Sequence, residues 1–164
     1  MSKRVLVVED DILNSAFLCT TLESHGFAVH SVSDGAYAIA AARAFRPDLI
    51  TMDIDLPHVS GLELIHQLKS DPELGGIPVL TITAHVGRIE ELQIRRAGAS
   101  RYMAKPVTMR GLFAAVDELL GGSGGAVSHP GSRGEARAAN SRLAGQLPGL
   151  TAPPAPPKTA LSAG

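Results

Sequence analysis

Between Arg4 and about Leu120, five short apolar runs rich in branched residues alternate with five segments whose apolar positions recur at helical spacing. No other feature constrains the fold as strongly. Short uninterrupted apolar runs belong to strands buried on both faces, and the intervening helices supply the cover, so the pattern calls for βα units around a parallel sheet. The predicted strands are Val5 to Val8, Phe27 to Ser31, Leu49 to Met52, Val79 to Thr83 and Arg101 to Met103. The predicted helices cover residues 12 to 24, 35 to 45, 61 to 70, 87 to 97 and 109 to 120. The first and fourth strands are the most hydrophobic and are expected to be central. Leu112, Ala115, Val116 and Leu119 recur as one apolar face able to lie on the sheet. Ser33 or Asp34, Ser60 and Thr108 stand where N-caps are wanted, and Gly26 and Gly98 where helices should stop.

After Leu120 the chain changes to GGSGG and continues in the same character, so that residues 121–164 hold six prolines, nine glycines and nine alanines. Such a stretch has too little to bury. The expectation is one domain over residues 1–121 and a disordered Gly/Ala/Pro-rich tail over 122–164 without an output domain. Within it the reading allows a short helix around Glu135 to Leu147, and PPAPP (153–157) should favour polyproline II. Residues 1–120 carry 11 Lys+Arg against 15 Asp+Glu, a net of −4, and the remainder carries 4 against 1, a net of +3, giving −1 in all. No strongly electropositive surface follows, so nucleic acid is not expected as a partner. A single cysteine, Cys19, excludes an intrachain disulfide, and the run Val5–Val8 is too short for a signal peptide or a membrane span. A cytoplasmic location without membrane insertion is expected.

In an open parallel sheet, chemistry collects where strands end at their carboxyl edge. Here the first strand ends on Glu9-Asp10-Asp11, the third on Asp53, the fourth on Thr83 and the fifth, one turn later, on Lys105-Pro106. Crowded carboxylates repel one another and are relieved by a hard divalent cation, with Mg2+ favoured where a few carboxylates and several waters coordinate it. A cation beside Asp53, with Thr83 and Lys105 opposite, surrounds a position suited to a phosphoryl group, whose transfer depends on positioning and charge neutralisation. Asp53 is then a candidate nucleophile that forms an aspartyl phosphate. Singly, each residue has a plainer reading as a solvated cap, a helix-dipole charge or a surface cation. Four strand ends together favour the site. The scattered histidines lack zinc spacing.

The segments VLVVEDD, DLITMDIDLPHVSGLELI, IPVLTITAH and AGASRYMAKPV resemble, in order and spacing, the receiver domain of bacterial response regulators, and among them the single-domain regulators of the DivK kind. The likeness covers residues 4 to 120. It implies a flavodoxin-like (βα)5 doubly wound α/β sheet, five parallel strands in order 2-1-3-4-5. It also implies that Asp53 accepts a phosphoryl group from phosphohistidine, and that Glu9, Asp10, Asp53 and the backbone carbonyl of Asp55 hold Mg2+. Register prefers Glu9 and Asp10 over Asp11 as the metal pair. Thr83 and Lys105 would each meet a phosphoryl oxygen, and Tyr102 matches the family's aromatic switch, although a core aromatic with a polar tip is an alternative. The Lys105–Pro106 peptide bond is expected cis. Asp55 and His85, two residues beyond Asp53 and Thr83, are expected to tune the lifetime of the aspartyl phosphate.

The resemblance further implies a binding switch that works with a sensor histidine kinase or histidine phosphotransferase, and with a downstream regulatory protein that reads the face of the fourth helix, fifth strand and fifth helix. Two rivals stand beside it. Asp53-Ile54-Asp55 resembles the nucleophile motif of haloacid-dehalogenase-type phosphatases, although two βα units precede it and a later acidic pair is missing. A phosphorylation-independent scaffold is the other.

Overall fold

The computed structural model describes residues 1–85 and 87–121. The expectations for the tail lie outside the described residues. Five strands, β1 (Arg4–Val8), β2 (Ala28–Val32), β3 (Leu49–Asp53), β4 (Val79–Thr83) and β5 (Arg101–Ala104), form one parallel sheet in the order β2-β1-β3-β4-β5. The helices are α1 (Ile12–Ser24), α2 (Ala38–Phe45), α3 (Gly61–Ser70), α4 (Arg88–Ala97) and α5 (Met109–Gly121). The segment expected to be helical from residue 35 opens as a 3-10 turn, Gly35–Tyr37, with Asp34 accepting from the Ala36 N–H at 2.9 Å. Strand order and parallel pairing agree with the fold class the sequence implies, and β1 and β4, expected to be central, are both interior, on either side of the middle strand β3. All five residues of β3 are buried although two are polar, because Thr51 and Asp53 lie on a strand covered on both faces. Hydrophobicity alone underrates a strand that carries functional groups.

Alternation along the strands divides the core in two. Leu6, Val8, Ile50, Met52 and Val79 face α2, α3 and α4, through Ala42, Leu64, Leu68 and Ile94 among others. Val5, Val7, Leu49, Leu80 and Ile82 face α1 and α5, through Leu18, Leu22, Leu112 and Val116. Each fully buried aliphatic side chain contributes about 1.5–3 kcal/mol from leaving water, so this two-layer burial holds the strands in fixed register. Edge strands β2 and β5 are only partly covered. Gly98 ends α4 with φ 102°, a left-handed conformation that suits glycine. Among the described residues no helix is long and apolar enough to cross a membrane.

Candidate phosphoryl and metal site

Parallel register brings the carboxyl ends of the strands level. Met52 pairs with Val8, Ile82 with Asp53 and Ala104 with Thr83. Glu9, Asp53, Thr83 and Lys105, each at or one residue past a strand end, therefore share one edge. Backbone hydrogen bonds carry the alignment past the strands: the Glu9 N–H donates to the Val32 carbonyl at 3.1 Å and the Lys105 N–H to the Thr83 carbonyl at 2.9 Å. The Lys105–Pro106 peptide bond is cis.

Glu9 and Asp53 are 2% and 4% exposed, whereas Asp10 is open to solvent. Carboxylate oxygens of Glu9, Asp10 and Asp53 lie within 4.8 Å of one another, the one such group of potential metal ligands among the described residues. The Lys105 ammonium bridges the buried pair, 3.0 Å from Glu9 Oε2 and 3.1 Å from Asp53 Oδ2. Burial pushes the Glu9 carboxyl above its ordinary range and the Asp53 charge pushes it further, while Lys105 pulls it back. Burial lowers the Lys105 pKa, but its hydrogen bonds to Glu9 and Asp53 and their charges outweigh this and hold it above the ordinary lysine value. One lysine facing two buried acids and a third at the rim leaves net negative charge, so the donor set suits a hard divalent cation.

Asp11 stands apart. Its side chain accepts from the Asn14 N–H at 2.8 Å and caps α1, so its role is local. Asp53 Oδ1 accepts from the Asp55 N–H at 3.2 Å, which folds the β3–α3 loop over the carboxylate. The Thr83 hydroxyl is turned to its own loop, accepting from the His85 N–H at 3.1 Å and lying 3.3 Å from the His85 carbonyl. The side chains of Asp55 and His85 meet at the rim, with Nδ1 and Oδ2 3.2 Å apart. A cavity of about 170 Å³, lined by Asp55, Thr83, His85, Glu90 and Ile94 among others, opens beside them. Tyr102 is half-buried against the α2–α4 layer, and its phenol is hydrogen-bonded to Glu91 of α4.

Two features escaped sequence reasoning. A Cβ on Gly61 would sit 2.1 Å from the Asp53 carbonyl oxygen and 2.8 Å from Ile54 Cα, so the start of α3 approaches the candidate nucleophile's own backbone too closely for any side chain. Its place just after the Ser60 cap was the available signal. Glu91 was also overlooked, although its four-residue spacing from Arg95 is visible in the sequence.

Residues 5–117 match the model of the response regulator receiver domain family. The polar-differentiation response regulator DivK of Brucella anthropi is 40% identical over 121 residues, 74% of this chain and 98% of that protein, and DivK of Brucella ovis is 39% identical over the same length. The chemotaxis response regulator CheY4 of Vibrio cholerae superposes with a TM-score of 0.70 at 25% identity, covering 73% of this chain and all of that one. The receiver domain of a Pseudomonas aeruginosa sensor histidine kinase, solved with a magnesium ion coordinated in its active site cleft, superposes at 0.70 with 27% identity over 74% of this chain and 100% of that one. The chain belongs to the response regulator receiver domain family, the phosphorylation-dependent signalling modules of two-component systems.

Proposed function

We propose that Asp53 is the phosphate acceptor of this receiver and that the chain catalyses its own phosphorylation from a phosphohistidine. The observation that carries this reading is the juxtaposition of Asp53 with Glu9, Asp10 and the Lys105 ammonium at one strand edge. An Asp53 carboxylate oxygen attacks phosphorus, the P–O bond forms as the P–N bond to imidazole breaks, and the departing ring nitrogen regains a proton. Lys105 is already 3.1 Å from Asp53 and neutralises charge that accumulates there. Thr83 exchanges its contacts with the His85 backbone for one to a phosphoryl oxygen. Glu9, Asp10, Asp53 and the Asp55 carbonyl would hold Mg2+, whose charge would offset that of the phosphoryl oxygens. Asp55 and His85, in contact at the rim, order the water that hydrolyses the product. Alanine at either position should change dephosphorylation several-fold, and unchanged rates in both variants would remove this role.

Tyr102 is the residue through which the bound phosphate alters the α4–β5–α5 face, which a downstream regulatory protein reads in the cytoplasm. Residues 1–121 suffice as the receiver. Truncation at Gly122 should leave phosphotransfer intact, and its loss would contradict that boundary. The phosphatase alternative using Asp53 and Asp55 is not favoured by the family match. The direct test is phosphotransfer from labelled histidine kinases and phosphotransferases of the source organism to wild type and Asp53→Asn. Rapid labelling of the wild type alone is expected, and labelling of both would reassign the acceptor.

A further inference from the structure

The Tyr102 ring is tied down on the helix side. Tyr102 pairs with Thr81 of β4, two residues before Thr83, and lies on the sheet face covered by α3 and α4. Its phenol is hydrogen-bonded to the Glu91 carboxylate, and Glu91 Oε1 in turn receives Arg95 Nη2 at 2.7 Å, one turn further along α4. The Glu91 side chain is 24% exposed, so water competes only partly for it. At the phosphoryl site a cavity is bounded by Thr83, Asp55 and Ile94. Moving the phenol away from α4 toward Thr83 costs the Glu91 hydrogen bond.

We propose that Glu91 is a positioning residue, a latch that Arg95 orients and that holds Tyr102 against α4 in the unphosphorylated protein. The proposal rests on the reading of Asp53 and Tyr102 given above. A contact made only in the resting conformation opposes phosphoryl binding, and the coupling is reciprocal. Removing the latch should therefore raise affinity for a phosphoryl group at Asp53.

The test compares full-length wild type, Glu91→Gln and Glu91→Ala in binding beryllium trifluoride with Mg2+. Affinity should rise about three- to tenfold in the alanine variant, the worth of one hydrogen bond, and by less in the glutamine variant. A second readout isolates the contact. The chain has two tyrosines and no tryptophan, so in a Tyr37→Phe background the ultraviolet titration of phenol ionisation reports Tyr102 alone. That ionisation should move to lower pH when Glu91 becomes alanine. An unmoved titration would show that the contact is not formed, and a moved titration with unchanged or weaker affinity would show that it does not hold the switch. Either result overturns the latch. If the wild type takes up no analogue, the phosphorylation reading falls first and the latch with it.

Discussion

Asp10 and Asp11 are adjacent carboxylates in different employment. Asp10 offers its oxygens to the cluster with Glu9 and Asp53, while Asp11 spends one on the Asn14 N–H. Asp10→Ala should weaken Mg2+ binding by at least tenfold in calorimetric titration, whereas Asp11→Ala should leave that affinity within about twofold and cost about 1 kcal/mol of stability as a lost cap. Gly61 makes a second residue-scale prediction. Alanine there cannot coexist with the Asp53 carbonyl 2.1 Å away, so the β3–α3 loop must shift. Urea denaturation should register a loss of about 1–3 kcal/mol, with slower phosphorylation because the displaced backbone belongs to Asp53.

At the scale of elements, helix and strand existence was legible because period and caps agree. Residues 12 to 24 and 61 to 70 begin and end as the pattern implies, with Asp11 and Ser60 accepting the N-terminal amides. One departure is physical. Gly35 is buried against the Leu64 side chain, and the chain crosses it as a 3-10 turn before α2 starts. Strand β3 holds the middle of the sheet, as the implied order has it, although Thr51 and Asp53 lower its hydrophobicity, because burial follows neighbours on both sides. Site membership could be read from strand ends, since parallel strands deliver their carboxyl termini to one edge. Contact geometry could not. Lys105 and Glu9 are 96 residues apart, and the side chain crosses from edge strand β5 to reach both acids. The Tyr102–Glu91 contact likewise depends on how α4 seats on β5, which no single-element pattern encodes.

For the whole molecule, the charged edge couples stability to pH. Lys105 has its pKa raised above 10.5 by Glu9 and Asp53, so its contribution is fully present below that value and is lost as pH rises through the folded-state pKa. Tyr102 is raised above 10.0, first by burial and then by Glu91. Its neutral form is the one the fold favours, so this contribution also disappears on the alkaline side. Metal-free protein should therefore lose stability above about pH 10, and Lys105→Met combined with Tyr102→Phe should flatten that limb in urea midpoints measured from neutral to alkaline pH.

On the proposed reading, Asp53, among the acids at this edge, becomes the phosphoryl carrier. Intact-mass and peptide mass spectrometry after incubation with Mg2+ and acetyl phosphate tests it most directly. One phosphoryl group, on the peptide containing Asp53 and absent from Asp53→Asn, is the predicted result. A phosphoryl group on Asp10, Asp11 or Asp55, or undiminished labelling of Asp53→Asn, would contradict it.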